Sequence, residues 1–201
     1  DEFMDYVQHP YFTDENVEKE KGIIAQEIKM YDDDPGWNVS FNAIKAMYVN
    51  HPVRVDIAGS VESIYKITKE ELYKCYNTFY NPGNMALFVI GDLEPEELFD
   101  KVKQANKYDM AKMEEEITRI YPEEPTTVNQ KEIITQAPIS IPIFNIGFKD
   151  DKVNIKGREL LKYEVMTDIL NEMLFRRGSE IYENLYMKGL INRSFGAGFT
   201  S

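Results

Sequence analysis

Apolar side chains recur at helical spacing along most of the chain. Helices are therefore predicted over residues 2–9, 15–31, 35–50, 68–80, 94–103, 156–175 and 179–188. Side chains that can accept a backbone N–H bond of the first turn precede four of them. These caps are Thr13, Asp34, Thr68 and Ser179. Residues 51–65 show no clear period and contain Pro52 and Gly59, so they are predicted to form an ordered loop.

Short apolar runs bounded by turn residues interrupt the helical pattern and predict buried strands. They cover residues 85–90, 131–139, 141–148 and 191–200. A corner at Ser140-Ile141-Pro142 joins the second run to the third. Helices and strands in mixed order are typical of the α+β class, so α+β is the predicted fold class.

Residues 107–130 differ in character from the chain on either side. Acidic residues run together at 114–116 and at Glu123-Glu124, prolines appear, and the apolar period is lost. This composition is typical of a linker between domains. The chain starts with Asp1-Glu2-Phe3-Met4, which is neither an initiator methionine nor a signal peptide. We therefore expect a piece of a longer protein that spans a domain boundary.

Composition narrows the class of protein. The 201 residues are 43% apolar, with 23 basic and 35 acidic side chains and a formal net charge of −12. This acidity disfavours nucleic acid and anionic membranes as partners, since both bind basic surfaces. No apolar run approaches the ~20 residues of a membrane helix. The single cysteine excludes an internal disulfide and suits a reducing compartment, so a soluble, cytoplasmic protein is expected.

The helix over residues 15–31 carries two acidic side chains at unusual positions. At about 100° per residue, its apolar side chains fall within one arc; they are Val17, Ile23, Ile24, Ile28, Met30 and Tyr31. Glu20 and Glu27 lie seven residues apart near the centre of this arc, whereas Lys21 falls on the opposite, polar side. A carboxylate on a buried face is costly unless a cation or hydrogen-bond donors meet it.

Periodicity alone leaves two interpretations of Glu20 and Glu27 open. In the structural one, an Arg or Lys from a neighbouring helix, or a solvent-filled gap, satisfies both acids. In the functional one, they serve as a metal ligand or as acid–base carboxylates, held rigidly on a helix as such sites require. Two carboxylates are a weak signal by themselves.

Residues 17–28 resemble the distal zinc-ligand helix of the insulinase-like (pitrilysin-type) metallopeptidases. The resemblance continues through residues 11–12, 59–64, 80–85, 90–93, 174–179 and 188–190. These matches are weak singly but specific together, because they occur in the right order over most of the chain. Within the family, residues 27–35 most resemble a bacterial, cytoplasmic branch that is close to the processing proteases.

The resemblance implies a role for each of the two acids. Glu27 would be the third protein ligand of a catalytic zinc, and Glu20 an outer carboxylate that orients the site. The family's H-x-x-E-H motif supplies two zinc histidines and the general-base glutamate. The chain has only His9 and His51, neither in such a motif, so the motif is expected before residue 1. The chain alone is thus expected to hold no tightly bound zinc and to be inactive.

The function implied for the intact protein is a zinc-dependent metalloendopeptidase that cleaves peptides or unfolded protein segments. Its helices would pack on a mixed or antiparallel sheet. Residues 1–106 would end the metal-bearing domain, and residues 131–201 would open the following homologous, non-catalytic domain. This half would pair with another insulinase-like half, in the same chain or in a homo- or heterodimer. The alternative is a non-catalytic partner or scaffold half that grips substrate.

Other features are weaker candidates for chemistry. Cys75 is expected to be a buried, unreactive thiol, and the two histidines to be caps or surface groups. Asp32-Asp33-Asp34 lacks the spaced oxygen ligands of a calcium loop and is interpreted as a turn and helix cap. Arg176-Arg177 lies at a predicted helix C-terminus, where cations are favoured in any case.

Overall fold

A computed structural model describes residues 2–108 and 117–200 of the chain. The chain divides into two compact units, Asp1–Lys149 and Asp150–Ser201. The domain boundaries predicted at residues 106 and 131 concern the longer protein and stay a prediction. Residues 109–116 of the predicted linker lie outside the described residues.

The described part of the first unit contains six α-helices. They are α1 (Glu2–Gln8), α2 (Asp14–Asp32), α3 (Pro35–Met47), α4 (Val61–Lys66), α5 (Lys69–Phe79) and α6 (Pro95–Ala105). Two short 3-10 helices, Pro52–Arg54 and Pro82–Asn84, lie between them. Within the described residues, none of the helices combines the length and hydropathy that crossing a bilayer requires.

Side-chain caps set where the helices begin. The Thr13 hydroxyl accepts the N–H of Asn16 at 3.2 Å at the start of α2, and Asp34 caps α3 through the N–H of Trp37 at 3.0 Å. Both caps were predicted. Helix α4 was missed inside the predicted loop 51–65, although Ser60 and Ser63 form a reciprocal capping box before it.

Helix α2 contacts α3 and α4 and holds most of the buried apolar side chains of the first unit. Val17, Ala25 and Ile28 are buried on α2, and Ile64 is buried on α4. Lys21 is buried on the same face of α2. Its ammonium donates to the Glu18 carboxylate at 2.5 Å, so the charged end is paired while the aliphatic stem packs.

Hydrogen bonds hold α1 against α5 and α6. The Gln8 amide donates to the carbonyl of Ala105 at 3.0 Å and accepts the N–H of Lys107 at 2.5 Å. The Tyr76 hydroxyl donates to the carbonyl of Val7 at 2.7 Å. These bonds satisfy backbone groups at the C-terminal ends of α1 and α6, where helices leave carbonyls unpaired.

The second unit consists of α7 (Gly157–Phe175), α8 (Glu180–Met187) and the segments that flank them. Helices α7 and α8 contact each other. Tyr182 of α8 is buried, and its ring lies 6.1 Å from that of Phe195, which also lies 6.2 Å from Phe175. This aromatic cluster closes the small core of the unit.

The predicted α+β class is wrong for the described residues, which contain helices but no β-strand. The predicted strands at 85–90, 131–139, 141–148 and 191–200 have irregular backbone. A strand requires a ladder of hydrogen bonds to a neighbouring strand, and none of these runs has such a neighbour here. Their apolar side chains are accordingly open to solvent: Ile90 is 99% exposed and Phe148 92%. The apolar pattern predicts extended backbone but cannot show whether a pairing partner is present.

Candidate metal-ligand face of helix α2

The rotation of α2 about its axis decides where its acidic side chains lie. The buried positions Val17, Lys21, Ala25 and Ile28 follow one another at spacings of four, four and three residues, so they form one stripe. This stripe faces α3 and α4. Glu20 and Glu27 lie on a different side of the helix, and both are exposed.

Glu20 and Glu27 share their side of α2 with two apolar side chains. Glu20, Ile23, Glu27 and Met30 recur at spacings of three, four and three residues, and we call them the outer face of α2. Ile23 is 51% exposed and Met30 61%. The outer face therefore combines two carboxylates with solvent-exposed apolar surface.

The helical wheel placed the centre of the buried face incorrectly. The helical wheel assigns Lys21 to the polar side and does not include Ala25 among the side chains of the apolar arc. The structure buries both of them, so the buried stripe is turned away from Glu20 and Glu27. A lysine can pack its long stem in a core and keep its ammonium at the rim. The pairing of Lys21 with Glu18, three residues away, was the missed signal.

Neither outer-face carboxylate has a hydrogen-bonding or charged partner in the described part of the chain. Within residues 2–108 and 117–200, no hydrogen bond or ion pair reaches Glu20 or Glu27. The structural interpretation allowed either an Arg or Lys from a neighbouring helix or a solvent-filled gap. The described residues place no such cation there, and both carboxylates are open to solvent. The two carboxylates are held on a rigid helix and remain open to solvent or to a group from outside the described residues.

The histidines are engaged in local contacts and do not join the acids. The Nδ1 atom of His9 lies 3.0 Å from the carboxylate of Asp5, and Nδ1 of His51 accepts the N–H of Val53 at 3.1 Å. No group of three or more His, Cys, Asp or Glu side chains suited to a metal occurs among the described residues. Glu27 fits a carboxylate ligand of zinc, but the described residues do not complete a zinc site.

The weaker candidates also have local explanations. Cys75 is exposed on α5, so the prediction of a buried thiol was wrong. Arg176 lies 3.7 Å from Glu172, and Arg177 donates to the carbonyl of Arg193 at 2.7 Å. These arginines therefore contact their own unit.

Comparison with known proteins defines the class of this chain. Residues 66–201 match the family model described as the peptidase M16 inactive domain. The chain belongs to the peptidase M16 family. This assignment confirms the predicted insulinase-like resemblance.

Individual relatives are consistent with the family assignment. A Bacillus subtilis protein named "Uncharacterized zinc protease YmfH" is 46% identical over 198 residues, which are 98% of this chain and 46% of that protein. The B. subtilis "Probable inactive metalloprotease YmfF" is 24% identical over 141 residues, covering 69% of this chain and 32% of the relative. Its relatives thus include one protein named as a zinc protease and one named as a probable inactive metalloprotease.

The crystal structure of an M16-like peptidase from Alicyclobacillus acidocaldarius has a similar fold. It matches 97% of this chain and 46% of the solved chain with a TM-score of 0.75 and 36% sequence identity. The chain spans about half the length of this structure and of YmfH.

Proposed function

We propose that the intact protein is a zinc-dependent metalloendopeptidase that cleaves peptides or unfolded protein segments. The observation that carries this proposal is the outer face of α2, where Glu20 and Glu27 are held on a rigid helix with no partner from the described residues. Exposed carboxylates beside exposed apolar side chains are accessible to an ion or to another part of the protein. The zinc-protease name of YmfH supports the same activity.

In this proposal Glu27 supplies one carboxylate ligand to the zinc. Glu20, one heptad earlier on the same face, orients the ligands through hydrogen bonds, as outer carboxylates do at zinc sites. Bound zinc would polarise the scissile carbonyl and activate a water molecule. The contribution of α2 is positional: its buried stripe fixes the rotation of the helix and hence the direction of both carboxylates.

The remaining zinc ligands and the general base are proposed to come from outside this chain. The 201 residues contain no H-x-x-E-H motif, and their two histidines are engaged elsewhere. The chain by itself is therefore expected to bind no tight zinc and to be inactive. In the intact protein it would pair with another insulinase-like half, in the same chain or in a dimer.

Charge supports an unfolded, cationic peptide as the substrate class and argues against nucleic acid. The whole formal net charge of −12 falls on residues 1–149, because residues 150–201 carry eight acidic and eight basic side chains. An acidic wall attracts cationic segments and repels polyanions. A cytoplasmic location belongs to the same proposal.

A second candidate function is a non-catalytic half that grips substrate for an active partner. The description of the family model as an inactive domain, over residues 66–201, favours it. The name of YmfF as an inactive metalloprotease points the same way. The two candidates differ in whether Glu27 is needed for hydrolysis.

The test is hydrolysis of a cationic, unfolded peptide by an intact protein of the relatives' length that contains this chain. We expect activity in the unmodified protein and a loss of at least about 100-fold in kcat/KM for Glu27→Gln, since removing even an outer carboxylate typically costs 10–100-fold. Glu15→Gln is the matched control, because Glu15 is an exposed acid on the same helix; it should keep full activity.

The outcomes separate the two candidates. An inactive unmodified protein that still binds the peptide would support the non-catalytic half. Activity that survives Glu27→Gln would remove Glu27 from the zinc site. Equal cleavage of acidic and cationic peptides would contradict the charge-based substrate class alone.

A further inference from the structure

Residues 123–149, which we call the strap, run alongside the C-terminal half of α3. The Asn129 side chain donates to the carbonyl of Lys45 at 3.1 Å, and the N–H of Gln130 donates to the carbonyl of Ala46 at 2.9 Å. These carbonyls belong to the last turn of α3, which leaves its carbonyls without helical partners. The strap therefore completes the end of α3.

Further contacts join other parts of the strap to α3. The Asn42 amide donates to the Thr135 hydroxyl at 3.1 Å, and the Asn145 amide donates to the hydroxyl of Ser40 at 3.2 Å. Met47 packs directly against Gly147: a Cβ at this glycine would lie 2.5 Å from the Met47 sulfur. The strap thus follows α3 closely at several positions, and no side chain larger than hydrogen fits at Gly147 without a shift.

The strongest contact of the strap is made by Glu124. Its carboxylate accepts three consecutive backbone N–H groups beyond α3, those of Val49 at 2.8 Å and of Asn50 and His51 at 2.6 Å each. Hydrogen bonds to a charged acceptor are stronger than neutral ones. Glu124 therefore fixes the backbone immediately after α3.

Lys149, at the other end of the strap, also contacts Glu124. Its ammonium donates to the Glu124 carboxylate at 2.5 Å and to the carbonyls of Pro125 and Thr127 at 2.5 and 3.3 Å. It also lies 5.1 Å from the centre of the Tyr48 ring. The side chains of Lys149 and Glu124 are only 8% and 15% exposed, so water screens their ion pair far less than a surface pair.

The surroundings of Glu124 favour its charged form. Burial raises the pKa of this carboxyl, but the hydrogen bond from Lys149 and the three backbone N–H bonds outweigh burial and lower the pKa to about 2. Removing either partner of such a shielded pair leaves the other without its counter-charge. We call Glu124, Lys149 and the amides of residues 49–51 the clasp.

We infer that the clasp holds the whole strap on α3 as one cooperative element, so that breaking the Glu124–Lys149 contact releases residues 123–149 together. The inference is independent of the proposed peptidase activity. Residues 123–130 fall within the predicted linker, but in this inference they are fastened to α3 and do not act as a free tether. Since α3 contacts α2, the strap is fixed to the same unit that presents Glu20 and Glu27.

Amide hydrogen exchange on the 201-residue chain tests this inference. In Glu124→Gln, exchange at Val49, Asn50 and His51 should accelerate at least about 10-fold, the ratio that corresponds to losing a hydrogen bond to a charged group. The amide of Gln130 should accelerate as well, although it bonds to Ala46 and not to Glu124. Glu123→Gln is the matched control, because this neighbouring side chain is exposed; it should leave all four rates unchanged.

Acceleration confined to residues 49–51, with Gln130 unchanged, would reduce Glu124 to a local cap and overturn the inference.

A second measurement needs no variant. In the unmodified chain, exchange followed through increasing denaturant should give these four amides one common opening free energy, below that of the buried α2 amides of Ala25 and Ile28. Four separate opening free energies would contradict a cooperative strap, even if Glu124→Gln failed to fold.

Discussion

The two sides of α2 have opposite relations to the rest of the chain. On the buried stripe, Val17, Ala25 and Ile28 are at most 7% exposed, and the charged end of Lys21 is paired with Glu18. On the outer face, Ile23 and Met30 are more than half exposed, and the two carboxylates have no partner among the described residues. The described residues therefore supply partners to the buried stripe but none to the outer face.

This difference suggests different roles for the two sides of the helix. A side chain that packs or pairs inside the unit contributes to folding. Under the proposed function, an exposed acid with no partner among the described residues is available to bind a group from elsewhere. Glu124 is the useful contrast, because it is also a carboxylate of the first unit but has its donors supplied by residues 49–51 and Lys149.

The largest expected effect separates the two sides by stability. Ile28→Ala should lower the free energy of unfolding of the 201-residue chain by about 2–4 kcal/mol, since it leaves a cavity in the buried stripe. Ile23→Ala, the same change on the outer face, should alter it by less than about 0.5 kcal/mol. Urea denaturation followed by circular dichroism measures both. Equal losses for the two variants would show that the outer face is also packed.

Acid should weaken the contacts that Glu124 makes in the clasp. The pKa of Glu124 is lowered from its usual 4.5 to about 2 in the folded chain, so the unfolded chain takes up its proton first as the pH falls. Its contribution to stability is therefore complete above pH 4.5 and is lost between about pH 4.5 and 2. Thermal unfolding across this range should show a smaller loss of Tm for Glu124→Gln than for the unmodified chain. An equal loss of Tm in Glu124→Gln and in the unmodified chain would contradict the hydrogen bonding assigned to the Glu124 carboxylate. The control variant Glu123→Gln should lose Tm as the unmodified chain does.

The smallest expected effect concerns the acids of the outer face. Glu20→Gln and Glu27→Gln should each change the free energy of unfolding of the 201-residue chain by less than about 0.5 kcal/mol, because both carboxylates are exposed and have no partner among residues 2–108 and 117–200. The same urea denaturation provides the measurement. A loss of more than about 1 kcal/mol in the free energy of unfolding for either variant would show that this acid stabilises the fold. The two sides of α2 would then not differ as described.

The sequence predicted the helices well because their signals are local. Thr13, Asp34, Thr68 and Ser179 each cap the helix that was expected to follow. A cap and its first turn lie within a few residues of each other, so no distant contact is needed to recognise them. Helix α4 carries an equally local signal at Ser60 and Ser63, which an apolar period does not reveal.

Predictions that depended on distant parts of the chain were less successful. The run at 141–148 has the composition of a strand, but strands depend on a partner that local sequence does not reveal. The buried side of α2 was misplaced because Lys21 was treated as polar, and Cys75 was expected to be buried but is exposed. The clasp joins Glu124 to residues about 75 positions earlier, a contact that no spacing rule predicts. The family resemblance, by contrast, was confirmed because its matches extend over most of the chain.

The most direct test of the central claim is the zinc content of the intact protein, purified without chelators. The claim that the outer face of α2 supplies a zinc ligand predicts about one zinc per chain in the unmodified protein and in Glu15→Gln. It predicts nearly none in Glu27→Gln, with the fold retained by circular dichroism. A folded Glu27→Gln protein that keeps its full zinc content would contradict the claim.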